Sequence, residues 1–243
     1  MDNLKTAWDR SYENRDNFVF YPHEEVIRFV ARYIRKRIGI NEFRDVVPFA
    51  SGVRVLDLGC GIGRHVIYLR ELGLQSYGID LSDSALRTAR SWAAQRGIDD
   101  AEKLFTQGDI RTLPWPDKHF DFAISHGVLD SMPFTIARAA CIELSRAMAP
   151  EGLFYCDLIS GDDSDHDPNY AGEETVMTAH ELGTIQSYFN TARIDALIDG
   201  AFAIHERILI RRENQTKGGY GSRYHLVLRN IRTTSPTSNK GTP

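Results

Sequence analysis

The stretch "VRVLDLGCGIGRH", residues 53–65, constrains this chain more than any other. Strand-forming residues are closed by an acid and then by glycines on alternate positions. Glycine lets backbone N–H groups approach a ligand with no Cβ in the way. A helix that starts there adds a partial positive charge. Such a turn suits a dinucleotide, a nucleoside triphosphate or a sulfonium nucleoside. A phosphate-binding loop would need Lys-Ser or Lys-Thr after its last glycine, and neither follows here. The dinucleotide pattern places its third glycine three residues after the second. Gly59, Gly61 and Gly63 are each spaced by two, so that match is imperfect.

Three acids narrow the choice. Asp57 lies inside the strand, two residues before the first glycine, where a carboxylate can hold an ammonium group. Asp80 ends the next strand in "YGIDLS", about twenty residues on, where an acid accepts hydrogen bonds from ribose hydroxyls. Asp109 in "QGDI" follows a third strand and can accept from an exocyclic adenine amine while Ile110 covers the ring. A pyrophosphate dinucleotide would use Asp80 but has no comparable use for both Asp57 and Asp109.

Around the turn, strand and helix patterns alternate. Strands are expected at 53–58, 75–80, 102–106 (weakly), 120–125 and 153–159, and helices at 62–72, 82–94 with Ser82 as N-cap, 134–148 and 192–198. Two further strands, 203–212 and 222–229, are joined by a glycine-rich link and read as a hairpin. The pattern predicts an α/β fold: a doubly wound, Rossmann-like sheet of seven strands, mostly parallel with an antiparallel last strand. Residues 51–230 form that domain, 1–50 a helical, aromatic N-terminal segment, 160–188 a cap loop, and 231–243 a polar tail expected to be disordered. An amphipathic helix is expected over 24–38, its arginines and Lys36 forming a solvated face.

The residues resemble the class I S-adenosylmethionine-dependent methyltransferases. "VLDLGCGIGRH" matches that family's glycine motif, "GIDLS" its ribose acid, "GDI" its adenine contact and "FDFAISHGVLDSM" its fourth strand and following loop. The resemblance implies S-adenosylmethionine as cofactor and S-adenosylhomocysteine as product, lying across the carboxyl ends of the strands. Gly59, Cys60 and Gly61 would line the methionine, with the Cys60 thiol a space filler ahead of a nucleophile. Asp80 and Leu81 would meet the ribose, Asp109 and Ile110 the adenine, and Ser125 would offer its backbone carbonyl to the methionine amine. Relatives fold their N-terminal segment over the cofactor, which would bring Tyr12 and Tyr21 to the sulfonium; equally, these aromatics could anchor the segment to the sheet.

The acceptor is read more coarsely. "SHGVLD" lacks the Asn/Asp-Pro-Pro-aromatic motif of amino-methylating nucleic-acid enzymes, and no Pro-Cys supplies a nucleophile for pyrimidine C5 chemistry. The formal charge of −4 gives no basic field for nucleic acid. A small-molecule or sugar acceptor is therefore expected, with O-methylation leading. "AHELGTIQSYF" and "YPHEEVIRF" resemble a bacterial subgroup associated with surface polysaccharides and natural products. An amine, carboxylate, tRNA or protein acceptor is the enzymatic alternative, and a silent cofactor-binding module the non-enzymatic one. An alcohol acceptor calls for a base, and His126 after the fourth strand leads Asp130, His180 and Glu181. Asp163, Asp165, Asp167 and Glu174 mimic a calcium loop, but Pro168 occupies the position that needs glycine, so a solvated acidic loop and no metal are expected. Three scattered cysteines, no signal-like leader and no apolar run near 18 residues point to a cytoplasmic protein without a membrane span.

Overall fold

The computed structural model describes residues 2–48, 52–167, 169–178 and 181–232. The tail expected to be disordered lies almost wholly outside them. Two N-terminal helices, α1 (Asp2–Glu13) and α2 (Glu24–Tyr33), precede a short ribbon of β1 (Arg35–Arg37) and β2 (Phe43–Asp45). The domain then runs β3 (Arg54–Leu58), α3 (Arg64–Glu71), β4 (Gln75–Asp80), α4 (Asp83–Gln95), α5 (Ala101–Leu104), β5 (Phe105–Gln107), β6 (Phe120–Ser125) and α6 (Phe134–Ala147). It continues through β7 (Met148–Ile159), β8 (Glu173–Thr175), β9 (Ile185–Ser187), α7 (Thr191–Ile198), β10 (Phe202–Glu213) and β11 (Tyr220–Asn230).

Seven strands form one sheet in the order β10-β11-β7-β6-β3-β4-β5. β11 runs antiparallel to both its neighbours, and the remaining pairings among β3 to β7 are parallel. The order reverses between β3 and β6, so a crevice opens there at the carboxyl ends. Alternation along each strand divides the core. Leu56, Leu58, Phe154 and Cys156 pack under α6 and α7, whereas Val55, Phe122, Ile124 and Tyr155 pack under α2 and α3. The carboxyl-terminal halves of β3, β4 and β6 are buried on both faces because helices cover both sides of the sheet. Asp57 is one of the residues so buried.

Two elements differ from the sequence expectation. The helix expected over 24–38 stops at Tyr33, because Ile34 leaves helical geometry (φ −124°, ψ −70°) and its carbonyl accepts from Val46 and Val47 N–H. Arg35, Lys36 and Arg37 therefore pair with β2 rather than extending a helix face, and Arg35 clamps Asp45 while donating to the Leu72 carbonyl. The apolar period reaching Ile38 misled, since Ile38 is exposed. The weak strand at 102–106 is one helical turn, α5, with the strand displaced to β5.

The last strand is locked by Asn230. Its Nδ2 donates to the carbonyls of Ser145, Met148 and Ala149 at 3.0–3.1 Å, and its Oδ1 accepts from Ser145 Oγ at 2.7 Å. Truncation would strand several buried acceptors at once. Asn230→Ala is expected to lower unfolding free energy by about 2–4 kcal/mol in a urea titration with m unchanged. A loss under 1 kcal/mol would mean that water replaces the side chain.

Candidate active site

All three glycines of the turn adopt left-handed φ, at +76°, +52° and +81° for Gly59, Gly61 and Gly63. Close neighbours reinforce that requirement. A Cβ at Gly59 would stand 2.5 Å from Val128, and one at Gly63 would stand 2.6 Å from Phe105. Gly59 and Cys60 N–H donate to the Ile79 carbonyl, tying the turn to β4.

Asp80 completes the joint. Its Oδ2 accepts from Gly61 N–H at 2.8 Å and its Oδ1 from Ser82 N–H at 2.9 Å. Burial pushes its carboxyl up to about 6, against the pull of those N–H groups. Ser82 caps α4 through Ala85 N–H, as its position predicts, and donates its hydroxyl to Asp9 of α1 at 2.6 Å. That last bond holds α1 over the turn. Trp8 and Tyr12 thereby roof a cavity of about 190 Å³ between β3, β4 and the loops after β5 and β6. Gly59, Asp80, Leu81, Asp109 and Ile110 line it, and Val128, Met132 and Ile136 supply an apolar wall.

The structure sorts the site residues expected from sequence. Gly59, Asp80, Leu81, Asp109, Ile110 and Tyr12 converge on the cavity. Asp109 presently chelates Arg111, which holds its carboxyl below the usual range. Gly61 backs onto the Tyr12 hydroxyl. Cys60 turns its sulfur away, against Gly78 and Val66, where burial raises its thiol well above normal. Ser125 closes β6 with its hydroxyl on the Leu58 carbonyl. Tyr21, expected at the sulfonium or anchoring the segment, is 80% exposed and outside the cavity lining. The aromatic segment divides instead, since Phe20 anchors edge-on against Trp92 of α4 at 4.8 Å. His180 lies outside the described residues. Glu181 stands close enough to Tyr12 that, after burial, Asp80 and Cys60, its charge helps raise the phenol.

Behind the turn, charged groups that would ordinarily sit in water are buried together. Asp57 is 1% exposed and its Oδ2 has no hydrogen-bond partner; His65 Nδ1 stands 3.6 Å away. His65 Nε2 accepts from His23 N–H, which leaves its ring proton on Nδ1, facing Asp57. Arg64, the first residue of α3, is half-buried at the positive end of its own helix and donates to His126 Nδ1 at 3.1 Å. Asp157 accepts from Gly127 N–H and from Arg223, which also bridges to Asp130.

The expectation for His126 is revised by this setting. Its ring lies between Arg64, His23 at 4.0 Å and Asp157 at 3.4 Å, and it does not line the cavity. Burial, with His23, His65 and Arg64 adding to it against Asp157, pushes its pKa down to about 3. An imidazole so weakly basic is poorly matched to taking a proton near neutrality. Sequence reading missed Arg64, Trp8 and Asp157. Arg64 carried a usable signal: a cation opening a helix opposes the helix dipole and implies an anion nearby.

In the cap, β8 and β9 pair antiparallel, and Ser187 N–H and Gln186 Nε2 both donate to the Asp130 carbonyl. Asp163 is turned onto His166, which also meets Glu174. No cluster of metal-ligating side chains occurs among the described residues.

Comparison with known proteins agrees with this geometry. The model of a methyltransferase-domain family matches residues 49–196, and the chain belongs to that family. A sterol 24-C-methyltransferase of Schizosaccharomyces pombe is 26% identical over 68% of this chain and 41% of its own. A 2-heptyl-1-hydroxyquinolin-4(1H)-one methyltransferase of Mycobacteroides abscessus is 32% identical over 43% of this chain and 45% of its own. The chain thus spans under half the length of these two curated relatives. Among solved structures, a methyltransferase from Methanosarcina mazei superposes with a TM-score of 0.63 at 20% identity, over 75% of this chain and 94% of its own. A 4+2 cyclase superposes at 0.61 and 17% identity, over 86% of this chain and 82% of its own, so fold likeness alone does not fix the chemistry. What the family match shows is a methyltransferase domain over residues 49–196, and no helix among the described residues is long and apolar enough to cross a membrane.

A ribose-binding Asp80 would make cofactor affinity pH-dependent in a defined direction. Burial pushes its carboxyl up to about 6 from an ordinary 3.8, and ribose hydroxyls, which can donate to either form, bond more strongly to the ionised one. S-adenosylhomocysteine affinity measured by calorimetry should be flat above pH 7 and fall by up to about tenfold per unit below pH 6. His23 and His126, lowered to about 4 and about 3, stay neutral through that window and do not contribute. Affinity independent of pH down to 5 would contradict a buried, ribose-binding Asp80.

Proposed function

We propose that this enzyme methylates a hydroxyl group on a small, largely apolar molecule. The observation that carries this reading is the apolar wall of Val128, Met132 and Ile136. On the cap turn beside Glu181, Leu182 and Met177 stand 49% and 78% exposed, offering further apolar surface. A sugar acceptor would instead call for polar groups converging there. The two relatives named for a sterol and for a hydroxyquinolone point to a largely apolar acceptor, although the sterol enzyme's 24-C activity is transfer to carbon rather than to a hydroxyl.

The cavity fits S-adenosylmethionine on physical grounds. An amino-acid headgroup needs an anion for its ammonium and a cation for its carboxylate. Asp57 carries an unpartnered buried oxygen, and Arg64 is a half-buried guanidinium whose side-chain partner is a neutral imidazole. Asp80 would take the ribose hydroxyls and Asp109 the adenine amine, between Leu81 and Ile110, with Gly59, Gly61 and the Ser125 carbonyl along the methionine. The cofactor supplies a methyl group activated on sulfonium. The chain's task is then to bind, orient and exclude water, since in-line displacement gains most from placing the acceptor near contact distance. Asp80→Ala and Arg64→Ala should each weaken S-adenosylhomocysteine binding about 10–100-fold by calorimetry, the scale of a hydrogen bond to a charged group. Tighter binding of NADH than of S-adenosylhomocysteine, or affinity untouched in both variants, would sink the site assignment.

With His126 buried against Arg64, we place the proton-accepting role on Glu181 at the cap turn, and give His126 the task of positioning Arg64. The two roles separate kinetically. His126→Ala should raise KM for the cofactor several-fold while kcat stays within about threefold, whereas Glu181→Gln should lower kcat about 10–100-fold with little change in cofactor KM. Screening phenolic and hydroxyquinoline acceptors against sugars identifies the acceptor class. A hundredfold kcat loss in His126→Ala would return the base to the fourth strand.

A further inference from the structure

The outer edge of the sheet is a 12-residue strand, β10, paired only with β11. Edge strands are usually short, or guarded by charge along their length, because their free N–H and C=O groups recruit other strands. β10 is long, and its centre is apolar: Ile208 and Leu209 are each 41% exposed, with Ile210 half-buried beside them. Three consecutive apolar residues on an open edge are a liability for a solitary chain.

We propose that β10 pairs antiparallel with β10 of a second copy about a two-fold axis at Leu209, joining two sheets into one continuous sheet. In this register Leu209 faces its own counterpart and Ile208 faces Ile210 twice. Glu206, which already accepts from Arg32 at 2.9 Å, comes opposite Arg212, again twice. Arg207 faces Arg211, but each already has an acid in reach, Asp195 at 3.5 Å and Glu213 at 3.8 Å. Of the registers displaced by one residue, one keeps an acid–arginine pair, Glu206 with Arg211, but sets Ile210 against Arg207; the other sets Glu206 against Glu213 and Ile208 against Arg211. The strip is also bounded, because a bulge at His205 breaks the β10–β11 ladder and ends flat pairing just before Glu206.

A second feature converges on the same edge. Between α2 and the sheet lies a cavity of about 310 Å³, lined by Phe29, Tyr33, Tyr155, Ile208 and Ile210, with Arg28, Arg32 and Glu206 among its polar walls. These two isoleucines share one face of β10, so the partner's Ile210 would seat beside Ile208, next to that cavity. Burial of apolar side chains from both copies then adds to the backbone pairing, as isologous contacts require.

The full chain tests this. Light scattering at about 50 µM should give twice the chain mass, and Leu209→Arg should give a monomer with an unchanged circular dichroism spectrum. At a two-fold centre, opposed Cα atoms lie about 4.5–5.5 Å apart, within disulfide reach. Leu209→Cys should therefore form a covalent dimer under mild oxidation, because the three native cysteines are buried. Arg212→Cys should not, since its two copies would be separated by about six residues of strand, roughly 20 Å. A wild-type chain monomeric at 100 µM overturns the pairing and leaves the edge for another protein. A dimer equally tight in Leu209→Arg, or cross-linking as readily at 212 as at 209, overturns it too.

Discussion

The arrangement depends on one buried carboxylate. Asp80 takes a hydrogen bond from Gly61 in the β3–α3 turn and another from Ser82 at the start of α4, so two strands and a helix meet on its oxygens. Through Ser82 the connection reaches Asp9 and so sets α1 over the cavity. Removing a carboxylate from water is costly, and the rise of its pKa to about 6 records that cost. A purely structural joint would be cheaper with a neutral side chain. An acid kept there, ionised at neutral pH and aimed at a nucleoside-sized cavity, is explained by a ligand that donates to it.

The second constraint is the set of charges behind the turn. Arg223 sits between Asp130 and Asp157, fastening the β6–α6 loop to β7 and β11. The arrangement divides the two acids: burial dominates at Asp130 and raises it, whereas the Arg223 guanidinium and the Gly127 N–H outweigh burial at Asp157 and lower it. Breaking a buried ion pair exposes the remaining charge to a medium that cannot solvate it. This group therefore fixes the loop that forms the cavity's apolar wall. Arg64 and Asp57 differ from it in kind, because neither is matched by an opposite charge in hydrogen-bonding contact. Their mismatch is local to the place where an amino-acid headgroup would lie.

The N-terminal segment shows how one composition serves two ends. Trp8 and Tyr12, four apart on α1, share a helix face and reach the cavity together. Phe20 and Tyr21 lie beyond the helix, where Phe20 packs edge-on against Trp92 of α4 and Tyr21 projects outward. Aromatic density marked the segment as bound to something; only the helix register assigned each ring.

The sequence by itself determined the sheet, its switch point and the three acids at successive strand ends, because these follow from local rules: period-two burial, left-handed glycines and the capping serine at 82. The helix ending at Tyr33 and the displaced β5 escaped it, since Ile34 is captured by Val46 and Val47 across a ribbon that no local period reveals. Tertiary structure alone decided the state of each site residue. His126 occupies a strand end suited to a base, yet His23 comes from a segment about a hundred residues distant to help bury it. Asp157, Arg223 and Arg64 arrive from three further elements. Basicity is set by desolvation and the summed field of such neighbours, and neither quantity is carried by a motif.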